Sequence, residues 1–107
     1  MSENGRVLNK NDVFDILRKN GFKLQALGVK RLGLFGSYVR GQQTPASDVD
    51  FLVEFEPGKK TFDHFMGLCF YLEELLGCKV ELVTAESLSP YLAPHILSEV
   101  EDAALVA

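Results

Sequence analysis

Apolar and polar residues alternate from Asp48 to Phe55, and this alternation is the clearest structural signal in the chain. Because successive side chains of a strand point to opposite faces, the segment predicts a strand with one face in a core. The core face carries Val49, Phe51, Val53 and Phe55. The opposite face carries Asp48, Asp50, Leu52 and Glu54. The pattern therefore gives the two aspartates the same defined direction.

Two further segments carry the apolar spacing of amphipathic helices. We expect the first to begin with Asn11 as its N-cap and to end before Gly21, because a glycine often follows a helix end. The second extends from about Thr61 to Leu76 and ends at Gly77. The apolar positions that define these helices are Val13, Phe14, Ile16, Leu17, Phe62, Phe65, Met66, Cys69, Leu72, Leu75 and Leu76.

The remaining segments complete a mixed α/β pattern. Two more strands are predicted, from Arg31 to Phe35 and from Cys78 to Val83, with Glu81 on the face opposite Val80 and Leu82. The other predicted elements are a short helix in the ambiguous segment Phe22 to Leu27, a turn with room for one helical turn from Gly36 to Gly41, and a last helix beginning near Pro94. The order helix, strand, strand, helix, strand, helix predicts one α/β (α+β) domain over residues 1–107, with a small mixed sheet packed on helices.

The length of 107 residues fits one domain and leaves no room for a separate substrate domain. We therefore expect any acceptor to be held by a partner or to lie on it. Acidic residues outnumber basic ones by 15 to 11, which gives a net charge of −4. Because a polynucleotide backbone attracts basic surfaces, direct nucleic-acid binding is not expected. A free nucleotide needs only a loop of amides, one arginine and a metal ion.

The chain shows no sign of secretion or membrane insertion. Its first twelve residues contain no apolar h-region, and its longest apolar run, Met66 to Leu72, is much shorter than the ~20 residues of a membrane span. Cys69 and Cys78 stand without a CxxC pair, so we expect buried thiols rather than a disulfide or a zinc site. These features predict a cytoplasmic protein that does not contact a membrane.

The residues that can carry chemistry follow or begin the predicted strands. Gly36 and Ser37 leave a strand and enter a turn, where backbone amides can bind a phosphate, although an ordinary turn is the commoner meaning of such a pair. Asp48 and Asp50 project from one face with Cβ atoms roughly 6.5–7 Å apart. A magnesium ion between them would relieve their repulsion. The alternative is a solvated strand edge.

Two charged residues extend this set. Arg40 can supply positive charge to a triphosphate, and a surface arginine that closes the turn fits its spacing equally well. Glu81 is a third acid on a neighbouring predicted strand. A lone glutamate in that position is usually a surface residue, so spacing alone does not decide its role.

The chain resembles the polymerase-β nucleotidyltransferase superfamily in Gly36-Ser37 followed, after ten residues, by Asp48-Val49-Asp50. The local sequence Phe-Gly-Ser-Tyr-Val-Arg-Gly and the later Ser-Asp-Val-Asp are similar to the minimal nucleotidyltransferase (MNT) branch. The resemblance also covers the segments 28–30 and 79–84, and so most of the chain. It implies a polymerase-β-type nucleotidyltransferase fold.

The resemblance also implies a role for each matching residue. Gly36 and Ser37 would hold the β and γ phosphates of ATP. Asp48 and Asp50 would bind Mg²⁺, two ions in this family, and Glu81 would be the third acid, which helps to ligate a metal and activates the attacking hydroxyl. Family members are often encoded beside HEPN-domain proteins as toxin–antitoxin pairs. Some adenylylate a tyrosine of that partner and so silence its ribonuclease activity.

We therefore expect a magnesium-dependent nucleotidyltransferase that moves AMP from ATP to a hydroxyl, with a tyrosine of a HEPN-type toxin as the acceptor, and that acts as an antitoxin. The family's third acid is usually aspartate; Glu81 shifts the carboxylate by roughly 1.5 Å, and a misplacement of about 1 Å can cost a hundredfold in rate. The alternative is a nucleotide-binding antitoxin subunit that neutralises its partner without efficient transfer. A small-molecule nucleotidyltransferase of the aminoglycoside type is disfavoured, because the chain lacks a second domain. The sequence leaves open whether the chain forms a homo-oligomer or a hetero-oligomer.

Overall fold

The computed structural model describes residues 8–105 and shows a four-stranded mixed sheet with helices packed around it. The strands are β1 (Val29–Phe35), β2 (Val49–Phe55), β3 (Val80–Thr84) and β4 (Glu101–Asp102). The α-helices are α1 (Lys10–Lys19), α2 (Gly21–Ala26), α3 (Ser37–Arg40), α4 (Phe62–Leu76) and α5 (Leu92–Glu99), and a 3₁₀ turn covers Ala85–Ser87. None of these helices is long and apolar enough to cross a membrane. The expected mixed α/β class is confirmed.

The register of the sheet brings two of the acidic residues together. β2 lies between β1, with which it pairs antiparallel, and β3, with which it pairs parallel. Asp50 is the partner of Phe35 on one side and of Glu81 on the other. Because paired residues of neighbouring strands point to the same face, the side chains of Asp50 and Glu81 lie side by side.

The free edge of β1 is covered by the two-residue strand β4. Leu34 is paired with Glu101 and Gly33 with Asp102, in antiparallel register. Arg31 on β1 reaches Asp102 in an ion pair of 2.7 Å. β4 consists of two acidic residues and has no alternation of apolar and polar positions, so the sequence pattern does not predict it.

One face of β2 is buried, as the alternation predicts. Its core residues are Val49, Phe51, Val53 and Phe55, none of them more than 9% exposed. Helices α1, α2 and α4 contribute buried leucines to the same cluster, among them Leu17, Leu24, Leu68 and Leu72. The opposite face of β2, which carries Asp50, Leu52 and Glu54, is more exposed. The sheet thus separates a packed face from a face that can meet a ligand.

The N-cap of α1 is Asn9, and the expectation that Asn11 fills this position is wrong. Asn9 Oδ1 accepts a hydrogen bond from the Asp12 amide at 2.8 Å, and the Asp12 carboxylate accepts one from the Asn9 amide at 3.0 Å. This reciprocal capping box satisfies two amides that have no helical partner, which explains why the helix begins there. Asn11 lies inside the first turn.

Other element boundaries also differ from the predicted ones. Asn20 ends α1, and Gly21, expected to follow the helix end, is already the first residue of α2. Helix α5 begins at Leu92, so Pro94 is its third residue instead of its first. Proline is tolerated there because the first amides of a helix have no intrahelical acceptor. The bounds of β1 and β3 differ from the predicted ones by up to two residues.

Both ends of α4 are confirmed, but one of its predicted core positions is wrong. The Thr61 side chain accepts a hydrogen bond from the amide of His64 at 3.1 Å, and Gly77 ends the helix with a left-handed φ of 69°. Phe62, which the apolar spacing places in the core, is 77% exposed because it lies in the first turn, before the helix reaches its buried positions. The buried residues of α4 are Leu68, Leu72 and Leu76.

Candidate active site

Three carboxylates lie on or beside the open face of the sheet. Asp48 immediately precedes β2, Asp50 lies within it, and Glu81 lies beside Asp50 on β3. Asp48 and Asp50 are partly buried, whereas Glu81 is exposed. No hydrogen bond or ion pair joins any of the three to another residue in the range 8–105. The fold therefore keeps their oxygen atoms available to an outside group.

Asp50 is the most perturbed acid of this site. Its pKa is raised from 3.8 to about 6, first by burial and then by the negative charges of Glu81 and Asp48. The nearby Arg40 opposes this rise in the pKa, and Glu99 adds to it. A perturbed carboxyl beside other acids in an accessible site is typical of functional residues.

The chemistry of these side chains suits magnesium better than a softer metal. Magnesium is bound by one or two carboxylates and by substrate phosphates, and it prefers oxygen ligands. Asp48 and Asp50 supply two such carboxylates, and the repulsion between them gives a cation a reason to bind. In the described part of the chain, no three His, Cys, Asp or Glu side chains are arranged to hold a metal ion by themselves. The residues thus fit an open two-carboxylate site that a phosphate ligand would complete.

The turn at Gly36 lies directly against Asp50. Gly36 joins β1 to α3 with a φ of 80° and a ψ of −151°, a backbone conformation almost restricted to glycine. A Cβ atom at this position would overlap Asp50 Oδ2 and lie 3.1 Å from Asp50 Cγ. Ser37, the first residue of α3, is partly buried beside this turn. The structure therefore brings the Gly36-Ser37 pair and an acid of β2 together, as the sequence motif suggests.

Glu99 contacts this turn and was not among the site residues expected from the sequence. Its Oε2 atom accepts a hydrogen bond from the Gly36 amide at 2.9 Å. Arg40 Nη1 donates to Glu99 Oε1 at 2.9 Å and to Oε2 at 3.2 Å. Arg40 also donates from Nε to Gln42 Oε1 at 3.1 Å, and its side chain remains 50% exposed. The Gly36 amide and the Arg40 guanidinium, which could both bind a phosphate, therefore already donate to the Glu99 carboxylate.

A weak sequence signal could have drawn attention to Glu99. It is the last residue of α5, where the helix dipole disfavours a negative charge, and the last turn of this helix contains no basic residue to offset it. Such a residue needs a positive partner elsewhere. That partner, Arg40, lies 59 positions away along the chain, so only the fold identifies it.

A cavity of about 380 Å³, within the size range of small-ligand sites, lies elsewhere on the sheet, and neither the three acids nor the Gly36 turn lines it. Leu52, which faces the same side of β2 as Asp50, forms part of its wall, and Leu97 of α5 forms another part. Charged residues, including Arg31, Lys60 and Glu86, also line it. Helix α5 therefore borders both this cavity and the Gly36 turn.

Neither cysteine belongs to the candidate site, although Cys78 lies near enough to Asp48 for that negative charge to help raise the pKa of its thiol. Cys69 and Cys78 are free and partly buried. Burial raises the pKa of each thiol, so both remain protonated and poorly reactive near neutral pH. The sequence predicts buried thiols, and the structure shows both thiols free and only partly buried.

Comparison with known proteins identifies the family. The nucleotidyltransferase domain family matches residues 15–104. The protein adenylyltransferase MntA of Thermococcus cleftensis is 46% identical over 76 residues, which cover 71% of this chain and 76% of the relative. A solved structure of a candidate minimal nucleotidyltransferase is 32% identical, with a TM-score of 0.69, and the match covers 91% of this chain and 98% of that one.

A solved toxin–antitoxin structure with AMP-PNP gives a further match. It is 27% identical to this chain with a TM-score of 0.62, over 89% of this chain and 72% of that one. The family match includes the Gly36 turn, the three acids and every strand of the sheet. By this match and these likenesses, the chain belongs to the nucleotidyltransferase domain family, within its minimal branch, and is a nucleotidyltransferase.

Proposed function

We propose that this nucleotidyltransferase moves AMP from ATP to a tyrosine hydroxyl of a HEPN-domain toxin, in the presence of Mg²⁺, and thereby acts as its antitoxin. The observation that carries this proposal is the contact of the Gly36 turn with Asp50, which has Glu81 beside it on β3. A phosphate-binding turn, a pair of metal-binding acids and a free acid are the parts that such a transfer needs.

In this reaction the acceptor oxygen bonds to the α-phosphorus, and the bond from that phosphorus to the bridging oxygen breaks, so that pyrophosphate leaves. Gly36 and Ser37 bind the β and γ phosphates of the leaving group, and Arg40 neutralises part of their charge. Asp48 and Asp50 would hold the metal, and Mg²⁺ bound there would supply positive charge to stabilise the negative oxygens of the transition state.

We assign Glu81 the role of the base in this proposal. It is exposed and carries no hydrogen bond or ion pair to another residue of the described chain, so its carboxylate is free to accept the proton of the acceptor hydroxyl. It lies beside Asp50 and therefore next to the proposed metal ligands. Loss of such a proton acceptor typically slows a reaction by about 10²–10⁴-fold.

The relatives support the choice of acceptor. One of them is named a protein adenylyltransferase, and a solved relative is a toxin–antitoxin structure with AMP-PNP.

A second candidate is a nucleotide-binding antitoxin that neutralises its partner without efficient transfer. Two observations favour it. Glu81 stands where the family usually has aspartate. The Gly36 amide and the Arg40 guanidinium, which would bind phosphate, already donate hydrogen bonds to Glu99. The two candidates differ in a single measurable product, the AMP attached to the partner.

The test is incubation of the chain with ATP, Mg²⁺ and a HEPN-domain protein encoded by a neighbouring gene, followed by mass spectrometry of both proteins. We expect the partner to gain the mass of AMP on a tyrosine, and the double variant Asp48→Asn, Asp50→Asn to give no product. A partner that forms a complex with the wild-type chain but gains no mass would establish the second candidate instead.

The role of Glu81 is tested by two substitutions in the same assay. Glu81→Gln should leave ATP affinity within a few-fold of the wild type and reduce transfer by about a hundredfold or more, as expected for a lost proton acceptor. Because the register with Asp50 fixes the backbone, Glu81→Asp should withdraw the carboxylate and also slow transfer. Glu74→Gln, at an exposed position of α4, is the control. Wild-type rates in both Glu81 variants would remove this residue from the mechanism.

A further inference from the structure

The Glu99 carboxylate is bound as a phosphate oxygen would be. It accepts one hydrogen bond from a backbone amide, that of Gly36, and two from the Arg40 guanidinium. Both bonds from Arg40 come from its Nη1 atom. Guanidinium groups donate to carboxylate and phosphate oxygens alike. These donors are the ones that the proposed function assigns to the terminal phosphates of ATP. A carboxylate and a phosphate cannot accept the same hydrogen bonds at the same time.

The position of Glu99 is set by the sheet. β1 and β4 pair antiparallel, with Leu34 opposite Glu101. Continuing this register by two residues in each chain direction brings Gly36 opposite Glu99, although neither of them belongs to a strand. The backbone pairing of the edge strand therefore places Glu99 beside the turn, where its side chain reaches the Gly36 amide.

The element that carries Glu99 is held weakly. None of the residues of α5 is buried, and the strand that follows it has only two residues. The Glu99 side chain itself is 26% exposed, so water and solutes reach it. Segments with little buried apolar surface open at low free-energy cost. Glu99 can therefore leave the turn without unfolding the core.

We infer that Glu99 occupies the place of the nucleotide's terminal phosphates as an autoinhibitory contact, which a ligand with a polyphosphate chain must displace in order to bind the turn. This inference rests on the proposed function, because it uses the same phosphate turn. A polyphosphate offers Gly36 and Arg40 more negative charge than one carboxylate does, whereas a nucleoside monophosphate has no phosphate to place there. Glu99 thus lowers the affinity for every ligand that must reach the turn.

The inference predicts that one variant gains affinity for ATP and keeps its affinity for AMP. If most molecules hold Glu99 on the turn, the apparent affinity for ATP is reduced by the open fraction, so Glu99→Gln should bind ATP about five- to tenfold more tightly. Inorganic triphosphate should gain to a similar extent. AMP should change by less than about twofold, because it does not compete with Glu99.

Isothermal titration of the full chain with ATP, inorganic triphosphate and AMP, each with Mg²⁺, measures these affinities. Glu101→Gln is the matched control: it removes one negative charge two residues away, from a side chain that pairs with Lys10 and not with the turn. It should leave all three affinities unchanged. Glu99→Ala, which removes the carboxylate without supplying an amide, provides a second variant, and thermal unfolding checks that each variant is folded.

The outcomes separate this inference from the proposed function. Unchanged ATP affinity in both Glu99 variants, or an equal gain for AMP and ATP, overturns the role of Glu99 and leaves the proposed function intact. An equal gain in Glu101→Gln also overturns it, since the effect would then be one of general charge. If neither the wild type nor any variant binds ATP, the proposed function fails and the role of Glu99 fails with it.

Discussion

Gly36 combines a left-handed backbone with a close approach to the Asp50 carboxylate. Both features exclude a side chain at this position, the first through backbone strain and the second through atomic overlap. Gly41, at the other end of α3, has a φ of 72°, but a Cβ atom there would meet nothing within 4 Å. The two glycines therefore separate the effect of backbone strain from the effect of contact with the site.

The first prediction compares Gly36→Ala with Gly41→Ala. Gly41→Ala should cost about 1 kcal/mol of unfolding free energy, because only the left-handed backbone is strained, and should leave ATP binding unchanged. Gly36→Ala should cost about 1–3 kcal/mol and weaken ATP binding by at least tenfold, since its new methyl group displaces Asp50. Urea unfolding and titration calorimetry measure the two effects. Equal ATP affinities in the two variants would contradict the proposed role of the Gly36 turn.

At the scale of secondary-structure elements, short stretches decide where the chemistry lies. The capping box of Asn9 and Asp12 sets the start of α1, and the two residues of β4 bring α5 to the open edge of β1. Neither the capping box nor β4 is long enough to show a periodic apolar pattern in the sequence. The predicted cap was displaced by two residues because Asn9 and Asn11 are both acceptable cap residues, and only the reciprocal bond with Asp12 distinguishes them.

The second prediction tests which asparagine caps α1. Asn9→Ala should lower the unfolding free energy by about 1 kcal/mol, because it removes the hydrogen bond that the Asp12 amide donates to Asn9 Oδ1. Asn11→Ala should change it by less than about 0.5 kcal/mol, as Asn11 is an exposed residue inside the helix. Urea unfolding of the two variants decides the matter. An equal or larger loss in Asn11→Ala would show that the cap lies where the sequence alone first suggested.

At the scale of the whole molecule, negative charge from several elements converges on one region. Asp48 immediately precedes β2 and Asp50 lies within it. Glu81 lies on β3, and Glu99 lies on α5. Burial, then Glu81 and Asp48, raise the pKa of Asp50 to about 6. The folded state consequently binds a proton at Asp50 more tightly than the unfolded chain does. Between pH 3.8 and about 6, stability should therefore fall as the pH rises, and the ionised carboxylate should remain destabilising above this window.

The third prediction follows from the fall in stability that ionisation of Asp50 causes as the pH rises. Asp50→Asn should have the stability of the wild type near pH 4 and become more stable than it as the pH rises to 7, by about 1 kcal/mol once the partial exposure of Asp50 is allowed for. Urea unfolding at pH 4, 5, 6 and 7 without metal or nucleotide measures this difference. Glu74→Gln, which removes an exposed charge on α4, should show no such growth with pH. A constant difference between Asp50→Asn and the wild type would contradict the assignment.

The sequence by itself determined the features that depend on neighbouring residues. Alternation in β2 and helical spacing in α4 identified both elements, and the motif that joins Gly36 to Asp50 indicated the family. Only the tertiary structure decided that Glu81 lies beside Asp50 and that Glu99, 63 positions from Gly36, holds the amide of that turn. The physical reason is the range of the interactions. Periodicity and glycine conformation are local properties, whereas strand register and the contacts of α5 arise when distant segments pack together.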